Sequence, residues 1–390
     1  MSTKTTAAGL PGSPQAPINS SGAPHVDLGK KQEQNIAVTA PLFTDGVDPS
    51  HAAHLAKLPE LPEHVSKKPG TGRQLPYLPA LEFASTVREA TKEGRIENLG
   101  GGICGAQLLR TSVGEPLAVL KPPLTVCHRA AITPGNEHHR EAAASRLAIA
   151  VSRMTGEPAF SACVPTTVLL KDQNKSAQAF VPNAITLQDA FIGNGDPETA
   201  LAKAMSPAAY EQTMVIAMLT ANLDGRPANI LLTGRDKDGQ DIPAKDLAKR
   251  LGEPGVVVVP HLIDNGLSFP EGTPQELVAS LAYIPHGHKP WSADTLAHIR
   301  KLDADVLVAT LGPELEAAKG PLRERIAILK AAADFDPPPT THEVMGRIAY
   351  VHDGFGSALD PKEQGVERSF FAAKGSTNAG EYPQTSENWT

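Results

Sequence analysis

Cysteine is scarce in this sequence, which contains only Cys104, Cys127 and Cys163 among its 390 residues. Three scattered cysteines exclude a disulfide framework, and they lack the CxxC spacing of a zinc site. The sequence therefore predicts a protein of a reducing cytoplasm.

Long apolar runs are also lacking. No stretch approaches the roughly 18 apolar residues of a membrane span, and the N-terminus has neither the basic nor the apolar region of a secretory signal peptide. A basic face is missing as well, because 36 Lys and Arg are mixed along the chain with 43 Asp and Glu for a net charge of -7. We therefore expect no transmembrane segment and no nucleic-acid partner.

Apolar residues are few at both ends of the chain. Residues 1–80 are rich in Pro, Ser and Gly, with Phe43 and Tyr77 as their only aromatics. Such segments cannot bury enough apolar area to offset the entropy of ordering, so we predict a disordered leader over 1–80 and a disordered tail over 358–390. Leaders of this composition also occur on bacterial proteins injected into host cells, so secretion into a host cytosol is the alternative to cytoplasmic residence.

Residues 81–190 predict a small β-rich unit. Apolar periodicity and glycine turns indicate two helices and two hairpins. The first helix is LEFASTVREATKEG. It is followed by the strand IENLGGGICGAQLLRT, which glycines interrupt, and, after the turn SVGE, by the strand EPLAVLKPP. The second helix, NEHHREAAASRLAIAVSRMTGEP, has one apolar face, and the strands VPTTVLL and AQAFVPNA form the second hairpin.

Residues 191–357 predict a mostly helical unit. Its first long helix has Ser206 as N-cap and Pro207 at the first helical position. Two strands follow, NILLT and VVVVPHLI, and a helix-like insertion lies between them within 234–255. The predicted fold class is α+β, with a β-rich first part and a helical second part.

Glycines lie between the first two predicted strands. Gly100, Gly102 and Gly105 satisfy GxGxxG, but the dinucleotide interpretation requires a strand followed by a helix, so a glycine hairpin over nucleotide phosphates fits better. Lys121 ends the next strand, where it could neutralise phosphate oxygens. A solvated lysine at a strand end is the alternative.

A partner for Lys121 is available in the next helix, where Glu141 lies in the first turns. The neighbouring histidines in NEHHREAA form neither HExxH nor HxxEH, so a metal site there is not favoured and these histidines are expected at the surface.

Polar side chains interrupt two apolar segments further along the chain. Asp224 and Asn229 form D-x-x-x-x-N between a helix and a strand, which is the spacing of a kinase catalytic loop. Asp264 follows an apolar strand and is followed by Asn265 and Gly266, as expected for a metal-binding aspartate at a sharp turn. An Asx turn at Asp224 and a strand-end turn at Asp264 are the alternatives.

The segments AVLKPP, REAAASRLA, VPTTVLL, LDGRPANILL and LIDNGLSFP resemble the phosphatidylinositol 3-/4-kinase superfamily, most closely type II phosphatidylinositol 4-kinases and their bacterial relatives. The likeness spans about residues 95–310. It implies a bilobal protein-kinase-like fold that binds ATP with Mg²⁺ or Mn²⁺.

The resemblance also implies a role for each site residue. It implies contact of Lys121 with the ATP phosphates, pairing of Glu141 with Lys121, a catalytic role for Asp224 at the transferred phosphoryl group, and metal binding by Asn229 and Asp264. D-N-G in place of D-F-G, and N-L-D in place of H-R-D, favour the lipid-kinase side of the fold.

Phosphatidylinositol is the first expected substrate. The chain has no cysteine cluster for palmitoylation and no long polybasic stretch, which favours the alternative of a protein Ser/Thr kinase, with a host protein as substrate if the leader directs export. A kinase-like binding module, or a transferase of another group such as AMP or glutamate, is the further alternative.

Overall fold

The computed structural model describes residues 80–92, 95–99, 105–123, 131–192, 196–274 and 276–352. Nearly all of the predicted leader, the predicted tail, and Gly100 and Gly102 of the glycine motif lie outside the described residues.

The described chain is of mixed α+β class, as predicted. Its helices are α1 (Ala80–Lys92), α2 (Glu137–Thr155), α3 (Ala159–Ala162), α4 (Leu187–Ile192), α5 (Pro197–Ala204), α6 (Pro207–Thr220), α7 (Ala244–Arg250), α8 (Ala293–Arg300), α9 (Ala304–Ala309), α10 (Lys319–Ala333) and α11 (Thr341–Ile348). Its strands are β1 (Ile96–Asn98), β2 (Gln107–Arg110), β3 (Pro116–Lys121), β4 (Thr167–Leu170), β5 (Lys175–Ala179), β6 (Ile185–Thr186), β7 (Ile230–Arg235), β8 (Val257–Leu262), β9 (Glu276–Val278) and β10 (Tyr350–His352).

An antiparallel sheet in the order β1-β2-β3-β5-β4 forms the first part of the described chain. Both predicted hairpins are confirmed, since β2 pairs with β3 and β4 pairs with β5. Helix α1 covers this sheet with Phe83 and Val87, which are fully buried against Leu109, Leu117 and Leu120. Burying each such side chain stabilises the fold by about 1.5–3 kcal/mol, so this small cluster fixes the strand from which Lys121 projects.

Helix α2 is buried on nearly every side, whereas the sequence predicts one apolar face. Its charged residues Arg140 and Glu141 are inside the protein together with the alanines. The prediction was wrong because small alanines let neighbouring elements approach all round the helix, and because buried charged groups are tolerated when they are paired. Gly156 ends the helix in a left-handed conformation with φ 76°, which glycine adopts readily.

A second antiparallel sheet, in the order β6-β7-β8, lies in the later part of the chain. The predicted N-cap of the long helix before it is confirmed, because the Ser206 side chain accepts a hydrogen bond from the backbone N–H of Ala209. The predicted insertion between β7 and β8 contains α7, and Leu247 of that helix lies over Gly234 of β7. A Cβ atom at Gly234 would clash with Leu247 Cδ1, so the glycine permits this close packing.

A larger apolar cluster holds the remaining helices together and includes buried side chains of α2, α6, α10 and α11. Strands β9 and β10 pair in parallel and join the end of the described chain to the segment after Asp264. Within the described ranges, the structure contains no helix that is both long enough and apolar enough to cross a membrane.

Candidate active site

Lys121 is the last residue of β3 and its side chain is 11% exposed. Its ammonium Nζ lies 2.6 Å from Glu141 Oε1 and 3.2 Å from Asp264 Oδ1. Glu141 and Asp264 are 20 and 143 positions from Lys121 in the chain, and both contact its ammonium group. The sequence named all three as candidate site residues, and the solvated strand-end alternative for Lys121 does not describe its environment.

The Lys121 ammonium attracts both carboxylates, whereas the two carboxylates repel each other. Burial alone would lower the pKa of Lys121, but the negative charges of Asp264 and Glu141 outweigh burial and raise it. Burial raises the pKa of Glu141, and the nearby Lys121 ammonium opposes that effect. Attraction by Lys121 holds the pKa of Asp264 below its ordinary value, so Asp264 stays ionised at neutral pH.

Asp264 is held in a left-handed backbone conformation, with φ 56° and ψ 53°, at the start of a 3₁₀ turn over Asn265–Leu267. This conformation is uncommon for a residue other than glycine, although aspartate adopts it more readily than most. Gly266 follows at a tight point, because a Cβ there would lie 3.2 Å from Glu137 Cβ on α2. The expected sharp turn is therefore present. Asp264 both forms the turn at the end of the strand and contacts Lys121.

Asp224 and Asn229 are joined directly in the loop between α6 and β7. Asn229 Nδ2 donates hydrogen bonds to the Asp224 backbone oxygen at 2.8 Å and to Asp224 Oδ2 at 2.9 Å. Both donations use the amide nitrogen, so Oδ1 is the atom of Asn229 that can bind a cation. The backbone oxygen of Asn229 also accepts from the Ile263 N–H at 3.0 Å, which brings this loop beside Asp264.

Asn222 connects the two acidic loops, and the sequence did not identify it. Its Nδ2 donates to the backbone oxygen of Asp264 at 2.9 Å, and its Oδ1 accepts from the backbone N–H of Asp224 at 3.0 Å. The Asx-type contact expected at Asp224 thus starts at Asn222. The available signal was the N-L-D triplet itself, in which an amide residue stands two positions before the acid.

Arg226 is a second residue that the sequence did not identify. Its Nε lies 3.4 Å from Asp224 Oδ2, and its side chain is about half exposed. Gly225 lies between Asp224 and Arg226, so its backbone sets the position of the guanidinium beside the carboxylate. Ser280 Oγ donates a hydrogen bond to the Gly225 oxygen and holds this backbone in place. A basic residue two positions after the acid was the only indication in the sequence.

The glycine motif is only partly described. Gly105 has φ +60° just before β2, and a Cβ there would meet nothing within 4 Å. Its left-handed backbone is the one that glycine favours in a hairpin connection. The placement of Gly100 and Gly102, and with it the proposed contact with phosphates, stays a prediction.

The expectation of surface histidines beside Glu141 was wrong for His138. His138 is 5% exposed and packs against His139 with ring centroids 4.2 Å apart. Burial lowers the pKa of both imidazoles, that of His139 to about 4. His138 lies inside the protein because other elements surround α2, whereas His139 is partly exposed beside Glu314.

The donor set around the acidic loops fits a hard divalent cation. Asp224, Asn229 and Asp264 contribute carboxylate and amide oxygens, which are the ligands that Mg²⁺ and Mn²⁺ prefer in proteins. One oxygen of Asp264, Oδ1, is already paired with the Lys121 ammonium at 3.2 Å. An arrangement of this kind can bind a phosphorylated ligand between a lysine and a cation.

No protein-family model and no curated protein matches the chain.

Proposed function

We propose that the protein is an ATP-dependent phosphotransferase of the kinase type, which transfers the γ-phosphate of ATP to a hydroxyl group. The observation that carries the proposal is the placement of Lys121 Nζ between Glu141 and Asp264, with Asp264 joined through Asn222 to the loop of Asp224 and Asn229. Phosphoryl transfer needs little covalent chemistry from the protein, since positioning and neutralisation of charge supply most of the catalysis.

Each residue has a defined task in this proposal. Lys121 binds phosphate oxygens of ATP, and Glu141 holds the ammonium in place. Asp224 orients the acceptor hydroxyl and takes its proton on the carboxylate, while Arg226 and Asn229 hold that carboxylate. Asn229 and Asp264 would hold Mg²⁺ or Mn²⁺, which neutralises charge on the transferred group when it is bound.

A bilobal arrangement follows from the same proposal. The five-stranded sheet carries Lys121, whereas Asp224, Asn229 and Asp264 lie on loops that border the β6-β7-β8 sheet. We propose that the first part, 81–190, and the second part, 191–357, act as the two lobes of a kinase-like fold with ATP between them. The position of Lys121 on one sheet, and of Asp264 on a loop that follows a strand of the other, supports this arrangement.

The acceptor is the least constrained part of the proposal. The motif resemblance favours the inositol ring of phosphatidylinositol as the first substrate. A Ser or Thr hydroxyl of a protein is the alternative, and the exposed Arg226 beside Asp224 is compatible with either acceptor.

A side-by-side labelling experiment tests the function and the substrate together. The full chain is incubated with γ-labelled ATP and Mg²⁺ or Mn²⁺, with phosphatidylinositol vesicles in one arm and a cell lysate in the other. Label in lipid that depends on both Asp224 and Asp264 supports a lipid kinase, and label confined to protein bands overturns the lipid assignment.

The same samples separate kinases from other transferases and from binding modules. Mass spectrometry distinguishes a gain of phosphate from a gain of AMP or glutamate. If the chain does not bind ATP at millimolar concentration with either metal, the proposed function is wrong.

A further inference from the structure

Arg140 lies directly before Glu141 in α2 and is fully buried. Its Nη1 donates to the backbone oxygens of Ser268, at 2.9 Å, and of Phe269. Its Nη2 donates to Glu271 Oε1 at 2.6 Å. One buried side chain thus joins the helix of Glu141 to the segment that follows Asp264.

The Glu271 carboxylate binds a third segment as well. Its Oε1 accepts from the backbone N–H of Thr133 at 3.1 Å, and its Oε2 accepts from Thr133 Oγ1 at 2.6 Å. The backbone N–H of Glu271 donates to the Ala131 oxygen at 2.8 Å. The carboxylate therefore fixes the connection that leads into α2, and only about a quarter of the side chain is exposed.

The route from this contact to Asp264 is short. Ser268 Oγ donates to Asn265 Oδ1 at 3.2 Å, and Asn265 is the residue next to Asp264. Phe269 is buried with φ 57°, a conformation that is unfavourable for a bulky residue unless its surroundings hold it. Arg140 binds its carbonyl oxygen, so the guanidinium holds this strained backbone in place.

A buried guanidinium also needs a counter-charge. An unpaired charge inside a protein is strongly unfavourable, and a carboxylate partner compensates it. Glu271 supplies that charge from a position seven residues after Asp264. Loss of the charge at Glu271 would therefore weaken the contact of α2 with this whole segment.

We propose that Arg140 and Glu271 are positioning residues that hold Glu141 and Asp264 in their working arrangement around Lys121. In regulated kinases, a phosphate on the segment after the metal-binding aspartate orders that segment by pairing with arginine. Here the Glu271 carboxylate makes this pairing permanently, so the site assembles without phosphorylation of residues 265–280. The inference rests on the proposed function, because it assigns a regulatory state to the same site.

The test compares Glu271→Gln with Glu253→Gln in the full chain. Glu271→Gln keeps the size and an acceptor oxygen but removes the charge, whereas Glu253 pairs with Arg250 on an exposed surface. Two quantities are measured, the backbone hydrogen exchange of residues 137–145 and 265–271, and kcat for phosphate transfer from ATP.

We expect faster exchange in both segments of Glu271→Gln and a fall in kcat of about 10- to 100-fold, because small misplacements of catalytic groups cost rates of this order. Glu253→Gln should match the parent protein in both measurements. Thr133→Val, which removes only the hydroxyl donor to Glu271, should give a smaller change in the same direction.

Treatment of the parent protein with a phosphatase should leave transfer unchanged. Activity that is lost on phosphatase treatment, or exchange in Glu271→Gln that equals that of the parent, overturns the proposal. If the parent chain transfers no phosphate but exchange is still faster in Glu271→Gln, the positioning role is supported and the phosphotransferase function is refuted. The two failures are therefore distinguishable.

Discussion

Asn222 Nδ2 lies 2.9 Å from the backbone oxygen of Asp264, although 42 residues separate them in the chain. The same amide group accepts from the N–H of Asp224 through its Oδ1. One side chain thus fixes the position of two acidic residues relative to each other. These two hydrogen bonds join two loops that are far apart in the sequence into a single site.

Substitution of Asn222 tests that link. Asn222→Ala removes both hydrogen bonds and should lower the free energy of unfolding by about 1–2 kcal/mol, as expected for lost hydrogen bonds to partly buried groups. Asn222→Ser should restore part of the loss, because a hydroxyl can still accept from the Asp224 N–H. Urea unfolding measures the difference, and an unchanged midpoint in Asn222→Ala would show that the link does not contribute.

The two acidic residues should differ in the step that they affect. Asp224→Asn should leave ATP affinity close to that of the parent and lower kcat by about 10²- to 10⁴-fold, the usual contribution of a positioned acid or base. Asp264→Ala should abolish the metal-dependent part of ATP binding, because it removes a predicted ligand. Calorimetric titration of ATP with and without Mg²⁺ separates the two, and equal loss of binding in both variants would refute these roles.

A side chain at Gly266 should press against α2. Gly266→Ala places a Cβ 3.2 Å from Glu137 Cβ and should cost about 1–3 kcal/mol through overpacking. Gly320→Ala is the matched control, because a Cβ there meets nothing within 4 Å and the residue lies in the first turn of α10. The control should be neutral or more stable by up to about 1 kcal/mol, since alanine favours helix. Thermal unfolding of both variants measures the contrast, and equal melting temperatures would contradict it.

The Lys121–Asp264 pair should give stability a defined pH dependence. The pKa of Asp264 is lowered in the folded protein, so the stability from its ionisation is present above the ordinary value of 3.8 and is lost as pH falls through the lowered pKa. The pKa of Lys121 is raised, so its contribution is present below 10.5 and is lost as pH rises through the raised pKa.

The free energies of unfolding of the parent and of Asp264→Asn should therefore differ by less below about pH 4 than at neutral pH. Urea unfolding at a series of pH values measures this difference. Asp305→Asn is the control, because its pair with Arg323 is exposed and should contribute less than about 1 kcal/mol. A difference that persists undiminished at pH 3 would show that Asp264 does not act through its charge.

Local features of this protein were determined by the sequence itself. The cap at Ser206, the stop at Gly156 and the two hairpins depend on residues within a few positions of one another, so local hydrogen bonds and backbone preferences decide them. The order Lys121, Glu141, Asp224, Asn229 and Asp264 could also be identified, because each stands at the end of a helix or strand that the apolar pattern indicates.

Only the tertiary structure decided which side chains meet. Apolar periodicity predicted a single buried face for α2, but the helix is enclosed, and this places Arg140 and His138 inside the protein. The contacts of Asn222 with Asp264 and of Arg140 with Glu271 span 42 and 131 residues. No local preference encodes such contacts, since they arise from the packing of α2 and the two loops against one another, and packing is a property of the whole folded chain.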